Sequence, residues 1–236
     1  MTPKIESRMY ADSAGSINFF VGCDFDCAYC RPSFQRQMKR WGKNNCQDCY
    51  DYKPHAHLER LDRSPPKVED GQFIFFPSAG DWSMIPTSAG LAGIDYMKKY
   101  PDRLFLSQTK NPNTFERFDF PENAILGITL ETDDDIQLLG ISKAPPPWLR
   151  FVDFYRTNHV RKMVTVEPII DFQPRRLRDW IVYLKPWRVY IGYDSHPNEN
   201  HLPEPPLSKT LKLVKSLQRA GIDVRTKLLR REYPRV

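Results

Sequence analysis

The sequence predicts an α/β fold of six parallel βα units in one domain spanning residues 1–236. Three observations predict it. Short apolar runs alternate with stretches of helical periodicity, which is the pattern of parallel βα units. The runs are apolar throughout, as in strands covered on both faces. No internal repeat, low-complexity tract or long linker divides the chain. Six units are too few to close an eight-stranded barrel, so a partial barrel is expected.

Each element follows from its residues. The first strand is expected at Ser16–Val21 (SINFFV) and the second at Gln72–Phe76 (QFIFF). Leu104–Ser107 (LFLS), Ala124–Leu130 (AILGITL), Lys162–Val166 (KMVTV) and Val189–Gly192 (VYIG) are expected to follow as strands three to six. Between them, Phe34, Met38 and Trp41 share one helical face. Leu91, Ile94 and Met97 share a second, with Lys98 beside them. Leu177, Trp180, Ile181 and Leu184 share a third. Leu211, Leu213, Val214 and Leu217 mark the last helix, with Gly221 as its C-cap. Such stripes are ordinary core and carry no chemistry. Prolines punctuate the connections at Pro65–Pro66, Pro145–Pro147 and Pro203–Pro206, where they break helices and stiffen loops. The stretch from Cys30 to Gln72 is long for one crossover, so an insertion is expected at 42–71.

Composition bounds the function classes. Hydrophobic residues make up 40% and charged residues 27%, the proportions of a globular protein. No run approaches the roughly 18 apolar residues of a membrane span, so no membrane partner is expected. The first residues, MTPKIESRMYADSAG, lack an apolar secretory core. A cytoplasmic, reducing location is therefore expected. The net charge is +6, and its excess sits at one end. From Ser208 to Val236 nine Lys or Arg face two acids, giving a basic C-terminal helix and tail at 208–236. Such a region suits a nucleic-acid surface, tRNA or DNA, or else a solvated helix face, since Lys209, Lys212, Lys215 and Arg219 follow helical spacing.

All five cysteines lie between positions 23 and 49, which points to metal rather than a disulfide framework. Cys23, Cys27 and Cys30 follow the first expected strand with C-x3-C-x2-C spacing, and Tyr29 precedes the third. Three thiolates on one short loop can bind three irons of a cubane and leave the fourth open to a small molecule. A rival reading joins Cys27 and Cys30 with Cys46 and Cys49 in the C-x2-C…C-x2-C zinc pattern of a non-catalytic nucleic-acid-binding module. Separately, Cys46, Cys49, His55 and His57 could hold a second metal, zinc or an auxiliary cluster.

The cysteine loop resembles that of the radical S-adenosylmethionine (radical SAM) superfamily, in which C-x3-C-x-aromatic-C follows the first strand of a partial (βα)6 TIM-like barrel. The resemblance implies a [4Fe-4S] cluster on Cys23, Cys27 and Cys30, with S-adenosylmethionine (SAM) on its open iron. It also implies a flavodoxin- or ferredoxin-like electron donor and hydrogen abstraction by a 5′-deoxyadenosyl radical. The segments Ser78 to Asp81, Thr109 to Pro112, Gly127 to Glu131 and Val166 to Pro168 resemble phrases of a phage- and microbe-associated radical SAM-like family of unknown function. His57-Leu58-Glu59-Arg60-Leu61 resembles a further one. A looser similarity is to spore photoproduct lyase. The cysteines depart from the phage-associated family, which often spaces the first two farther apart.

By position in that resemblance, Ser78, Gly80 and Asp81 stand where the superfamily carries a small-residue turn that contacts the SAM amino group. Tyr29 would cover the cluster and adenine. Thr109, Glu131 and Glu167 become candidates for ribose or carboxylate contacts. A helix-capping role is the plain alternative for Asp81. The substrate stays open between nucleic acid, suggested by Arg36, Lys39 and Arg40 beside the loop, and a small molecule or peptide side chain.

Overall fold

The protein's structure, a computed structural model, describes residues 10–230; the leading nine residues and the end of the basic tail, with Arg231 and Arg235, lie outside the described residues. The chain is α/β, built on a curled sheet of seven parallel strands that forms a half-barrel. Strand β1 (Ser13–Ser16) is one edge. Strand β2 (Phe20–Val21) leaves the sheet and pairs antiparallel with β3 (His55–Ala56). Then come β4 (Phe73–Phe75), β5 (Phe105–Thr109), β6 (Ala124–Thr129), β7 (Lys162–Val166), β8 (Arg188–Gly192) and β9 (Val224–Lys227). The sheet order is β1-β4-β5-β6-β7-β8-β9, so each strand lies beside its predecessor, as in singly wound barrels. The helices are α1 (Arg36–Gly42), α2 (Gln47–Asp51), α3 (Thr87–Lys99), α4 (Pro147–Arg156), α5 (Pro174–Leu184), α6 (Pro197–Asn200) and α7 (Leu207–Arg219).

Strand alternation divides the sheet into two faces. Ile74, Phe105, Leu126, Ile128, Val164, Val189 and Ile191 pack in one core with Ile94, Met97, Phe154, Leu177, Ile181, Leu213 and Leu217 of the helices. The concave face carries Tyr10, Phe73, Phe75, Leu106, Ile125, Met163 and Tyr190 as a separate apolar floor. Full burial of side chains of this size stabilises by about 1.5–3 kcal/mol each before entropic costs. Toward the C-terminal strand ends the concave face turns polar. There the Gln108 amide donates to Thr129 Oγ1 (2.9 Å) and Thr165 Oγ1 (2.7 Å). The apolar floor serves stability, and the polar groups gather at the C-terminal strand ends, where α/β barrels place their sites.

The structure corrects four expectations. Ser16–Val21 is not one strand. The Phe19 carbonyl accepts from the His57 amide (2.7 Å), and residues 20–21 pair with β3, so this backbone is satisfied outside the sheet. The basic C-terminal region is not only helix and tail. It contains β9, whose sequence Val-Arg-Thr-Lys lacks an apolar run yet completes the sheet beside β8. Pro147 starts α4 rather than only breaking the chain, since proline is tolerated at the first helical position. Trp41, Leu91 and Leu211 face outward, so the stripes of their helices are narrower than the spacing suggests. The capping expectation at Gly221 holds: Gly221 N donates to Gln218 O and Ile222 N to Leu217 O, closing α7.

Candidate functional site

The cysteine loop leaves β2 at the C-terminal mouth of the half-barrel. Two glycines let it lie there. Gly22 has φ +100°, and a Cβ would sit 2.3 Å from the Lys53 backbone; at Gly80 a Cβ would meet the Phe20 ring at 2.8 Å. The two glycines bridge each other, and the Gly22 amide donates to Ala79 O (2.9 Å). The loop is thereby clamped to the segment after β4. Asn18 Oδ1 fixes that segment in turn, accepting from Ser78 N (2.8 Å), Ser78 Oγ (3.0 Å) and Ala79 N (3.0 Å).

Cys23, Cys27, Tyr29, Cys30, Ser78, Gly80, Asp81, Thr109 and Glu167 all line one cavity of about 1370 Å³. Asp81 is also a structural hub. Its carboxylate accepts from Ser83 N (2.9 Å), Ser83 Oγ (2.7 Å), Thr109 Oγ1 (2.5 Å) and Lys110 N (2.9 Å). It caps the short 3-10 turn Trp82–Met84, so the capping role is real alongside its place on the cavity wall. Glu131 is the expected site residue that the cavity wall lacks. It is fully buried, accepts from Tyr29 Oη and pairs with Arg150 Nη1 (2.7 Å), which is also fully buried. Its contact with the site runs through Tyr29. Glu167 Oε1 accepts from Lys227 Nζ (2.6 Å), whereas its Oε2 is buried with no hydrogen-bond partner among the described residues. Burial raises the Glu167 carboxyl above its ordinary value, with Lys227 opposing.

The three thiols are electrostatically unequal. The hydrogen bond with Cys30 holds Cys27 down to about 6 against the opposing effect of burial, helped by Lys110 and Ser142. Burial and the Asp81 charge push Cys23 up, while the Cys27 bond and burial push Cys30 up. Burial alone would lower the Lys110 ammonium, yet Cys27, Glu131 and Cys30 raise it, and its Nζ sits 5.5 Å from the Tyr29 ring centre. A cation is thus kept beside the Cys27 thiol, where it favours the charged form.

Sequence reasoning missed Lys110, Lys227 and Tyr10 on the cavity wall. Lys110 stood within the quoted Thr109 to Pro112 segment, so position after β5 could have found it. Lys227 lies on the strand that lacks an apolar run, and Tyr10 precedes every expected element.

The remaining metal-ligand types gather elsewhere. One atom each from Cys46, Cys49, His55 and His57 lie within 4.8 Å of one another. Cys27 and Cys30 do not join Cys46 and Cys49. They line the central cavity, whereas the metal-ligand group found among the described residues joins Cys46 and Cys49 to His55 and His57. Much of the C-terminal charge is satisfied internally: Lys209 pairs with Asp171 (2.6 Å), Lys227 with Glu167, and Arg225 with Asp223 (3.0 Å). Lys212, Lys215 and Arg219 stay on the exposed face of α7. Among the described residues no helix is long and apolar enough to cross a membrane.

A scan against protein-family models finds no match to this chain. A search of curated proteins likewise finds none.

Proposed function

We propose that this protein is a radical SAM enzyme. The observation that carries the reading is the facing of Cys23, Cys27 and Cys30, from one loop, into a large cavity at the C-terminal mouth of a parallel half-barrel. The donor set fits the group: three thiols with C-x3-C-x2-C spacing line one cavity together with the half-buried Lys110. The unpartnered Glu167 Oε2 adds a buried acceptor that a ligand N–H or O–H would satisfy. Bound there, a [4Fe-4S] cluster and SAM would supply one-electron reductive C–S cleavage and hydrogen-atom abstraction, the electron coming from a flavodoxin- or ferredoxin-like donor. Cys23, Cys27 and Cys30 would hold the cluster, and Lys110 would offset its negative charge. Tyr29, pinned through its hydroxyl to Glu131, would cover one side of it. Asp81 and Thr109 line the same cavity, and Glu131 would act as a positioning residue through Tyr29. The finer (βα)6 reading takes the first six parallel strands as the repeat and β9 as an addition.

Anaerobic reconstitution with iron and sulfide tests this. The expected result is a brown protein with broad absorbance near ~400 nm and about four irons per chain, which releases 5′-deoxyadenosine when reduced with SAM. A colourless, iron-free protein after that treatment overturns it.

Nucleic acid as substrate is a second reading, favoured by Arg36, Arg40 and Trp41 on the cavity rim. Arg36 is paired with Glu199, donating through Nη1 to Oε1 (3.2 Å) and through Nη2 to Oε2. Binding to tRNA or DNA should weaken steeply with salt, and Arg40→Ala should lower the log–log slope by roughly one contact's worth. Electrophoretic mobility titrations at several salt concentrations check this, and absence of binding at low salt excludes the reading.

A further inference from the structure

We infer that Cys46, Cys49, His55 and His57 form a structural zinc site, and that its ion fixes the backbone leading into Cys23. The four ligand atoms converge on one point. Cys49 Sγ lies 3.3 Å from His55 Nε2 and 3.2 Å from His57 Nε2. Cys46 Sγ lies 3.4 Å from His55 Nε2, and the two Nε2 atoms are 2.8 Å apart. Hydrogen bonds on the far side of each ring set the tautomers. His55 Nδ1 faces the Lys53 carbonyl (2.7 Å), which only accepts, so Nδ1 carries the proton. His57 Nδ1 faces the Glu59 carboxylate (3.0 Å), with the same consequence. Both Nε2 atoms then present lone pairs to each other at 2.8 Å, where two neutral rings would repel and a cation between them is attractive. An imidazole held by an acceptor on its other nitrogen is the usual support of a zinc ligand.

Two thiolates and two imidazoles closing a tetrahedron suit zinc and leave no open position. A two-iron cluster would place its imidazole pair and thiolate pair on different irons. Here Cys49 Sγ touches both imidazoles, which requires a single ion.

The local structure needs such a staple. Helix α2 has five residues and β3 has two, too short to be stable alone. The apolar cluster that includes Cys49 contains only Val21 and Ala79 besides, with Met38, Cys46 and Tyr52 packed against it. Ligand His55 is the direct strand partner of Val21, two residues before Cys23. Gly22 packs against Lys53 and Pro54, between the two ligand pairs. The ion therefore holds β3, and β3 holds the entry to the cysteine loop. This makes 42–71 a metal-stapled brace and not merely an inserted loop.

The test uses full-length protein carrying C23A/C27A/C30A, so that it does not depend on the proposed activity. The first readout is metal content after purification from zinc-supplemented medium. About one zinc per chain is expected in this variant and in the parent protein, and C46A/C49A should lose it. Cobalt substitution in the folded triple variant should give the intense visible bands of a tetrahedral, thiolate-bound ion. The second readout is amide hydrogen exchange with and without a strong chelator. Removing zinc should accelerate exchange in segments 19–23 and 53–57, with β6 and β7 unchanged. A folded triple variant that binds neither zinc nor cobalt overturns the site. Zinc bound without any chelator effect on segment 19–23 overturns the brace.

Discussion

Cys27→Ala is expected to abolish both iron–sulfur loading and release of 5′-deoxyadenosine while leaving the fold intact. Cys27 is nearly fully buried, and its thiol contacts Ser142 Oγ (3.1 Å) and Cys30. Ser142 is a hard oxygen donor and a poor substitute for thiolate toward iron. Cys46 and Cys49 are engaged with the two histidines. Losing one of three thiols on a loop this short would leave two, too few to retain the proposed cubane with its fourth iron open. The structural cost is small, about 1 kcal/mol for one buried methylene-sized group. Iron and sulfide analysis, product chromatography and thermal melting, run together, check each part. A variant that still binds iron and cleaves SAM would remove Cys27 from the site. A variant that fails to fold would mean that the thiol is a packing group.

Legibility in the sequence varied with how local each signal was. Strands β5 to β8 were readable because apolar runs buried on both faces announce themselves. The three-cysteine loop was readable because its ligands are neighbours in sequence. The departure of Phe20–Val21 from the sheet was not, since its cause is the distant β3. β9 was hidden because an edge strand can be polar and still pair; its Lys227 meets Glu167 only across the curl of the sheet. Asp81 and Glu131 both follow strands and looked alike as acids. Folding separates them, one onto the cavity wall and the other behind Tyr29. Arg150 sits in a helix that the proline run concealed, so the partner that decides the role of Glu131 could not be named.

That pair carries the largest expected stability effect. Glu131→Ala should destabilise the protein by about 3–5 kcal/mol, because it leaves the Arg150 guanidinium fully buried without its counter-charge. Arg150 Nη1 also donates to Thr129 O (3.1 Å) and Nε to Pro145 O (2.5 Å), so the group cannot swing to solvent without tearing the β6 end from α4. Against a typical total of about 5–15 kcal/mol, the loss is a large fraction. The pH dependence has a definite sign. Burial acts to raise the Glu131 pKa, but Arg150, Lys110 and the Tyr29 hydroxyl outweigh it and hold the folded value below the ordinary carboxylate one. A depressed folded pKa contributes stability that is complete above the unfolded value and lost as pH falls through the folded one. The gap between parent and Glu131→Ala should therefore be full at neutral pH and shrink in acid. Urea unfolding at neutral and acidic pH measures both quantities. Adding Arg150→Met to Glu131→Ala should recover much of the loss, since an apolar side chain needs no counter-charge. A Glu131→Ala cost under about 1 kcal/mol, the size for an exposed pair, would mean that water reaches the guanidinium. The Tyr29 anchor behind the cysteine loop would then be far looser than the burial of its partners requires.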